Sequence, residues 1–307
     1  MKALTYKVLI VLSRWLGPWI FTLVSRIIAA GYFFIFPGRA GVSAGFYSAL
    51  FPGKGRLFHW QCVWRQYQNF TTVFMDRIRP GEQDNIRFTS TGWQGFEEAL
   101  DNGRGAIVLM SHMGNWDVAA SLMAKKRKDL KLLLYMGSKA KEQIESVQKQ
   151  ELNDKGIRIV AVEPSGGSPL DVVEGIRFLK SGGVVSLTGD KLWHPDQRSV
   201  SVPFLGKTAR IPEFPHVFAL VSKAPLFVFF TFRTAPGTYG FILSDPIRIA
   251  CPSREERSCA VAESARVYAG MLEKTLREHP YEWYHFDPFL VDHSGQYHQG
   301  NVKIKIQ

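Results

Sequence analysis

Between residues 105 and 243, short and almost unbroken apolar runs alternate with stretches of helical character, and no other feature restricts the chain so much. Gly105–Ser111 (GAIVLMS), Lys131–Met136 (KLLLYM), Ile157–Val162 and Val184–Thr188 are short and rich in Val, Ile and Leu, and read as strands. Trp116–Lys126, Lys139–Asn153 and Pro169–Lys180 fall between them and read as helices. Leu226–Arg233 and Tyr239–Leu243 add two longer strands, and Glu255–Glu278 closes the series as a long helix. Strands that are apolar along their whole length are buried on both faces. The expected fold is therefore α/β, a largely parallel central sheet flanked by helices.

Upstream the pattern changes. Trp60, Val63, Trp64, Tyr67, Phe70 and Val73 recur at steps of three and four, which predicts one apolar helix face over 55–79, and Arg79-Pro80-Gly81 punctuates the chain. Residues 8–36 are hydrophobic but interrupted by Arg14 and Arg26, and the longest charge-free run, Ile27 to Pro37, is about half the ~20 residues that a spanning helix needs. Basic residues persist past any signal-peptide n-region, and no convincing small-x-small cleavage site follows. Trp15, Trp19, Tyr32, Phe33 and Phe34 among basic residues suit an interfacial membrane helix or hairpin, against a buried helical layer or a true span. The expected division is a hydrophobic, membrane-associating helical region at 1–80, an α/β domain at 81–292 and a tail at 293–307.

The formal charge of +11 favours an anionic partner, which can be nucleic acid, lipid headgroups or an acidic protein. No helix-turn-helix, zinc-finger or RNP pattern is present, so nucleic acid is not expected. Cys62, Cys251 and Cys259 form no CxxC pair, which argues against a disulfide framework or a zinc site and for a reducing, cytosol-facing location. No His/Cys/Asp cluster has metal spacing. His194 and His216 read as loop and helix-face residues.

The chemistry concentrates at His112 and Asp117. On one continuous helix, five residues would leave the two side chains about 140° apart. They meet only if His112 lies in the loop after the strand, Met113-Gly114-Asn115 turn the chain, and Asp117 falls in the first turn of the next helix. Gly114 permits that turn, Asn115 is a good N-cap, and an early Asp complements the helix dipole. Strand carboxyl ends are where open α/β sheets place ligands. Ser111 has no G-x-S-x-G elbow, so a His base would act on the substrate's own hydroxyl or amine. The plainer reading is a loop histidine and a helix-start aspartate.

His112-Met113-Gly114-Asn115-Trp116-Asp117 closely resembles the H-x4-D/E motif of the lipid A biosynthesis (lauroyl/myristoyl) acyltransferase family, within the wider glycerolipid acyltransferase superfamily. A second block, Gly189-Asp190-Lys191 followed by Ser201 to Pro212 (SVPFLGKTARIP), is similar to the family's D-[RQ] … V-x-F-F-G-x-x-[AT] segment. The resemblance implies an acyltransferase with His112 as general base and Asp117 orienting it. It also implies a pocket lined by Asp190 and Lys191, with Asn115 and Arg210 as further substrate-binding candidates. Arg210 and Lys207 suit a phosphate or an acidic carrier as well as solvated loop positions.

The donor would be an acyl carrier protein or coenzyme A thioester, with no other cofactor, and the acceptor a hydroxyl or amine of a membrane lipid or glycolipid. The enzyme would sit on the cytoplasmic face of the bacterial inner membrane, where the basic run Lys125–Lys128 either steers an anionic surface or simply closes a helix. A thioesterase sharing the base and a non-catalytic lipid-binding protein are the competing readings. Two departures leave the acceptor open. Lys191 stands where the family has Arg or Gln, and Glu282–Phe289 (EWYHFDPF) replaces an ending of the type W-x-x-R-R-F, which looks more like a divergent aryl-polyene or pigment-pathway branch.

Overall fold

The computed structural model describes residues 19–78, 87–137, 157–162, 169–194, 196–251 and 253–291. Helices α1 (Trp19–Ile35), α2 (Pro37–Leu50) and α3 (Arg56–Ile78) precede β1 (Arg87–Thr91), α4 (Trp93–Asp101), β2 (Ala106–Met110) and α5 (Trp116–Lys126). Strands β3 (Leu132–Gly137) and β4 (Ile157–Val162), helix α6 (Pro169–Lys180) and β5 (Val184–Thr188) follow. Next come β6 (Ser199–Phe204), β7 (Lys207–Pro212), α7 (Phe214–Ser222), β8 (Leu226–Ala235), β9 (Thr238–Leu243), α8 (Arg257–Glu278) and β10 (Leu290–Val291). The helix expected at Lys139–Asn153 and the tail at 293–307 lie outside the described residues.

Seven strands form the main sheet in the order β1-β9-β8-β2-β5-β3-β4. All pairs among β8, β2, β5, β3 and β4 are parallel. Strand β9 departs from this and runs antiparallel to β8, because the Pro236-Gly237 connection is a hairpin, too short for a crossover. The expected double burial is present, and its alternation is visible residue by residue. Ile107, Leu109, Leu133, Val185 and Leu187 point into one core with Tyr47, Val63, Leu179, Phe218 and Leu272. Ala106, Val108, Leu132, Leu134 and Val184 point into the other with Phe96, Val118 and Met123. Successive strand side chains alternate between faces, so each apolar run supplies both cores.

The larger core draws on Ala40, Phe46 and Tyr47 of α2 and on Val63 and Tyr67 of α3, so helices before residue 80 share it with the sheet. Between α1 and α2 the chain bends by 90°. Pro37 causes the break: it lacks the N–H that α1 would need, while its fixed φ suits the first position of α2. Among the described residues no single helix is long and apolar enough to cross a membrane, although the bent α1–α2 pair passes on length and composition together. A second, three-stranded sheet (β10-β7-β6) brings the C-terminal segment back against the β6–β7 hairpin. Neither that hairpin nor α4 was expected from the sequence.

Candidate active site

The turn carrying His112 is built as the spacing required. Strand β2 ends at Met110, Gly114 takes φ +65°, and Asn115 caps α5 by accepting from the Val118 N–H at 3.5 Å. Gly114 is needed twice over, since a Cβ there would sit 2.2 Å from the Thr231 carbonyl oxygen. Asp117 falls in the first turn of α5, as expected, but its side chain lies outside the described residues.

The register between neighbouring strands sets the next element. Met110 pairs with Thr188 in the parallel β2–β5 ladder, so His112 and Asp190, each two residues past its strand, emerge side by side. Gly189 N–H donates to the Met110 carbonyl at 2.8 Å and holds the two loops together. His112 Nδ1 lies 2.8 Å from Asp190 Oδ1, and the His112 backbone N–H donates to Oδ2 at 2.7 Å. The imidazole side chain is 36% exposed and the carboxylate fully buried.

A third donor comes from far along the chain. Trp283 Nε1–H donates to Asp190 Oδ2 at 2.7 Å. The segment bearing Trp283 is stitched to the His112 turn, because Gly114 N–H donates to the Glu282 carbonyl at 2.8 Å and Tyr284 N–H to the His112 carbonyl at 2.7 Å. His285 stacks on the Trp283 indole, with centroids 4.9 Å apart, and meets the His112 ring edge-on at 5.8 Å. Two residues further, Asp287 binds Lys191 Nζ at 2.8 Å.

The electrostatics follow from this packing. Burial by itself would raise the Asp190 pKa, but the adjacent His112 and its two hydrogen bonds outweigh burial and hold the carboxyl near about 2. A buried carboxylate is sustained only by donors of this kind. His285 is pushed down to about 4 by burial, so its ring is neutral at pH 7. Asp287 is lowered, burial being overcome by its bond to Lys191.

With the proton on Nδ1 and directed at Asp190, the other ring nitrogen of His112 carries a lone pair. An imidazole held in that tautomer is able to accept a proton. A family model for bacterial lipid A biosynthesis acyltransferases matches residues 61–290, three quarters of the chain. The chain belongs to that family. It is accordingly an enzyme of the acyl-transferring kind, acting in general on an acyl donor and a lipid acceptor. A comparison with curated proteins finds no match.

Within this acyltransferase, the residues named from sequence separate into groups. His112, Asp190 and Lys191 come together, and Asp190 places a carboxylate on the His112 ring. Asn115, a substrate-binding candidate from the resemblance, is 1% exposed, with Oδ1 on the cap and Nδ2 donating to the Val73 carbonyl at 3.2 Å. Both ends of its amide are occupied beneath the turn. Arg210 stands on β7, where Nε donates to Ser199 Oγ at 2.9 Å, outside the His112–Asp190–Trp283–His285 group. His216 is a helix-face residue as expected, buried with Nδ1 on Ser264 Oγ at 2.8 Å. Trp283 and His285 were missed as site residues. Their signal was the polar and aromatic sequence Glu282–Asp287 inside a segment otherwise read only as a departure.

Proposed function

We propose that this enzyme transfers a fatty acyl group from an acyl carrier protein or coenzyme A thioester to a hydroxyl of a membrane lipid or glycolipid. The observation that carries the reading is the His112–Asp190 pair at the carboxyl ends of β2 and β5, in a chain of this family. His112 takes the proton from the acceptor hydroxyl as its oxygen attacks the thioester carbonyl. Collapse of the tetrahedral intermediate breaks the C–S bond, and the imidazolium returns the proton to the leaving thiolate. Asp190 orients the imidazole and stabilises its charged form. Asp190 joins Asp117, to which the resemblance gives that orienting role, as a carboxylate partner of His112. Trp283 and the His112 backbone N–H hold Asp190 in place.

The reading extends to the cytoplasmic face of the inner membrane. Helix α1 presents Trp19, Leu23, Ile27, Phe34 and Ile35 to the outside, the last two at 71% and 70% exposure. Such an apolar stripe on a chain of charge +11 suits interfacial burial against anionic lipid. Aromatic contacts join that surface to the site, from Phe33 on Trp64 and Tyr67 to Tyr67 on Phe286, beside His285.

The test is lipid mass spectrometry of cells lacking the protein, complemented with wild type or His112→Ala. Wild type is expected to restore an acylated species that His112→Ala does not. If wild type restores none, the acyltransferase reading fails.

A further inference from the structure

We infer that the acceptor group presented to His112 is a neutral, hydroxyl-bearing headgroup with no phosphate beside the reacting oxygen, and that the Lys191–Asp287 pair enforces this choice. The inference rests on the acyl-transfer reading above and adds the acceptor's charge class.

Lys191 and Asp287 form their ion pair at the rim of the site, with side chains 35% and 61% exposed. Both are bound to the machinery by chain position. Lys191 directly follows Asp190, and the Asp287 carbonyl accepts from His285 Nδ1–H at 3.1 Å. The charged and titratable groups acting on His285 are Asp190, His112, Lys191 and Asp287, and those acting on Asp287 are Lys191, His285 and His112. Lys191 is the one permanent cation among them, counting the described residues.

The charge balance is then simple. His285 is neutral at pH 7, and His112 must be neutral to act as a base. Asp190 and Asp287 each carry one negative charge and Lys191 one positive, so this cluster is net negative. A phosphate monoester brings a further charge of about −1.5 to −2 at neutral pH. To use Lys191 it must displace Asp287, leaving that carboxylate uncompensated beside it. If the ion pair stays intact, Lys191 is already compensated and the phosphate still faces the net negative charge of the cluster. A neutral polyol or hydroxyaryl group meets neither penalty. The exposed Asp287 carboxylate has acceptor sites left over for a neighbouring hydroxyl.

Two measurements test this. The first is tandem mass spectrometry of the wild-type-dependent acylated lipid. The unit bearing the transferred acyl chain is expected to carry no phosphate, and a phosphate on that unit overturns the inference while leaving the acyltransferase reading intact. Absence of any such lipid removes that reading and the inference with it. The second reads binding independently of turnover, as 31P line broadening of glycerol 3-phosphate with the full-length protein in detergent micelles. Asp287→Asn frees Lys191 and is expected to bind about tenfold more tightly than wild type, and adding Lys191→Met is expected to abolish that gain. Exposed pairs of this kind contribute little to stability, so the variants should fold. Equal binding by wild type and Asp287→Asn overturns the role given to the pair.

Discussion

Asp190 keeps its charge in a fully buried position because His112 supplies two donors and Trp283 a third. Each can be removed separately. His112→Ala is expected to reduce acyl transfer by ~10²–10⁴-fold, the usual contribution of a general base. Asp190→Asn should cost nearly as much. An amide NH2 facing Nδ1 would move the ring proton to the nitrogen that must accept one, which lowers kcat and leaves KM almost unchanged. Trp283→Phe removes the indole donor together with part of a buried ring and should destabilise the fold by at least about 1–3 kcal/mol, with a smaller loss of kcat. Steady-state kinetics beside thermal melts separate these outcomes. At this scale the sequence was only partly legible. His112 stood out because its turn chemistry is local, whereas Asp190, whose carboxylate lies on its ring, is 78 residues away.

The His112 turn works as an element because Gly114 lets the backbone after β2 come close to the Thr231 carbonyl of β8. Gly114→Ala sets a left-handed φ against a side chain and drives Cβ into the Thr231 carbonyl, so it should cost more than the ~1–2 kcal/mol of φ strain alone. Gly103→Ala, at φ +67° with nothing within 4 Å of the added Cβ, isolates the strain term. A thermal midpoint lowered far more by Gly114→Ala, together with lost activity, is the expected result. Equal shifts would remove the close-approach argument. The elements that sequence reading missed have local reasons. Helix α4 is nine residues long, with no side-chain cap at Gly92, although Trp93, Phe96 and Leu100 are its buried residues. Strands β6 and β7 alternate apolar with polar residues, unlike the continuous runs of the central sheet, and were read only as a motif.

Across the whole molecule two predictions concern the environment. The exposed face of α1 should hold the enzyme to anionic vesicles. Phe34→Asp with Ile35→Asp is expected to release it in flotation assays, since burying one such side chain contributes ~1.5–3 kcal/mol. Retained flotation would locate membrane binding elsewhere. Acid should weaken the fold. His216 and His285 each have a folded pKa depressed from 6.5 to about 4 by burial, so the unfolded chain binds more protons between those values. Stability is full above pH 6.5 and lost as pH falls toward 4, by about 2 kcal/mol per histidine at pH 5. Asp190, lowered to about 2, adds its own loss only below its ordinary value of 3.8. A thermal midpoint unchanged between pH 7 and pH 5 would contradict the buried neutral histidines.

The sequence by itself determined the strands β2 to β5, β8 and β9, the helices α3, α5, α6 and α8, and the turn that lifts His112 out of β2. These depend on side-chain periodicity and on what Gly114 and Asn115 permit, which are properties of a few consecutive residues. Only the tertiary structure decided that the Asp190 carboxylate meets the imidazole. Strand register set β5 beside β2, and the returning segment from Glu282 laid Trp283 on Asp190 across 93 positions of sequence. Such contacts arise from strand register and chain return, and no local spacing of residues records them.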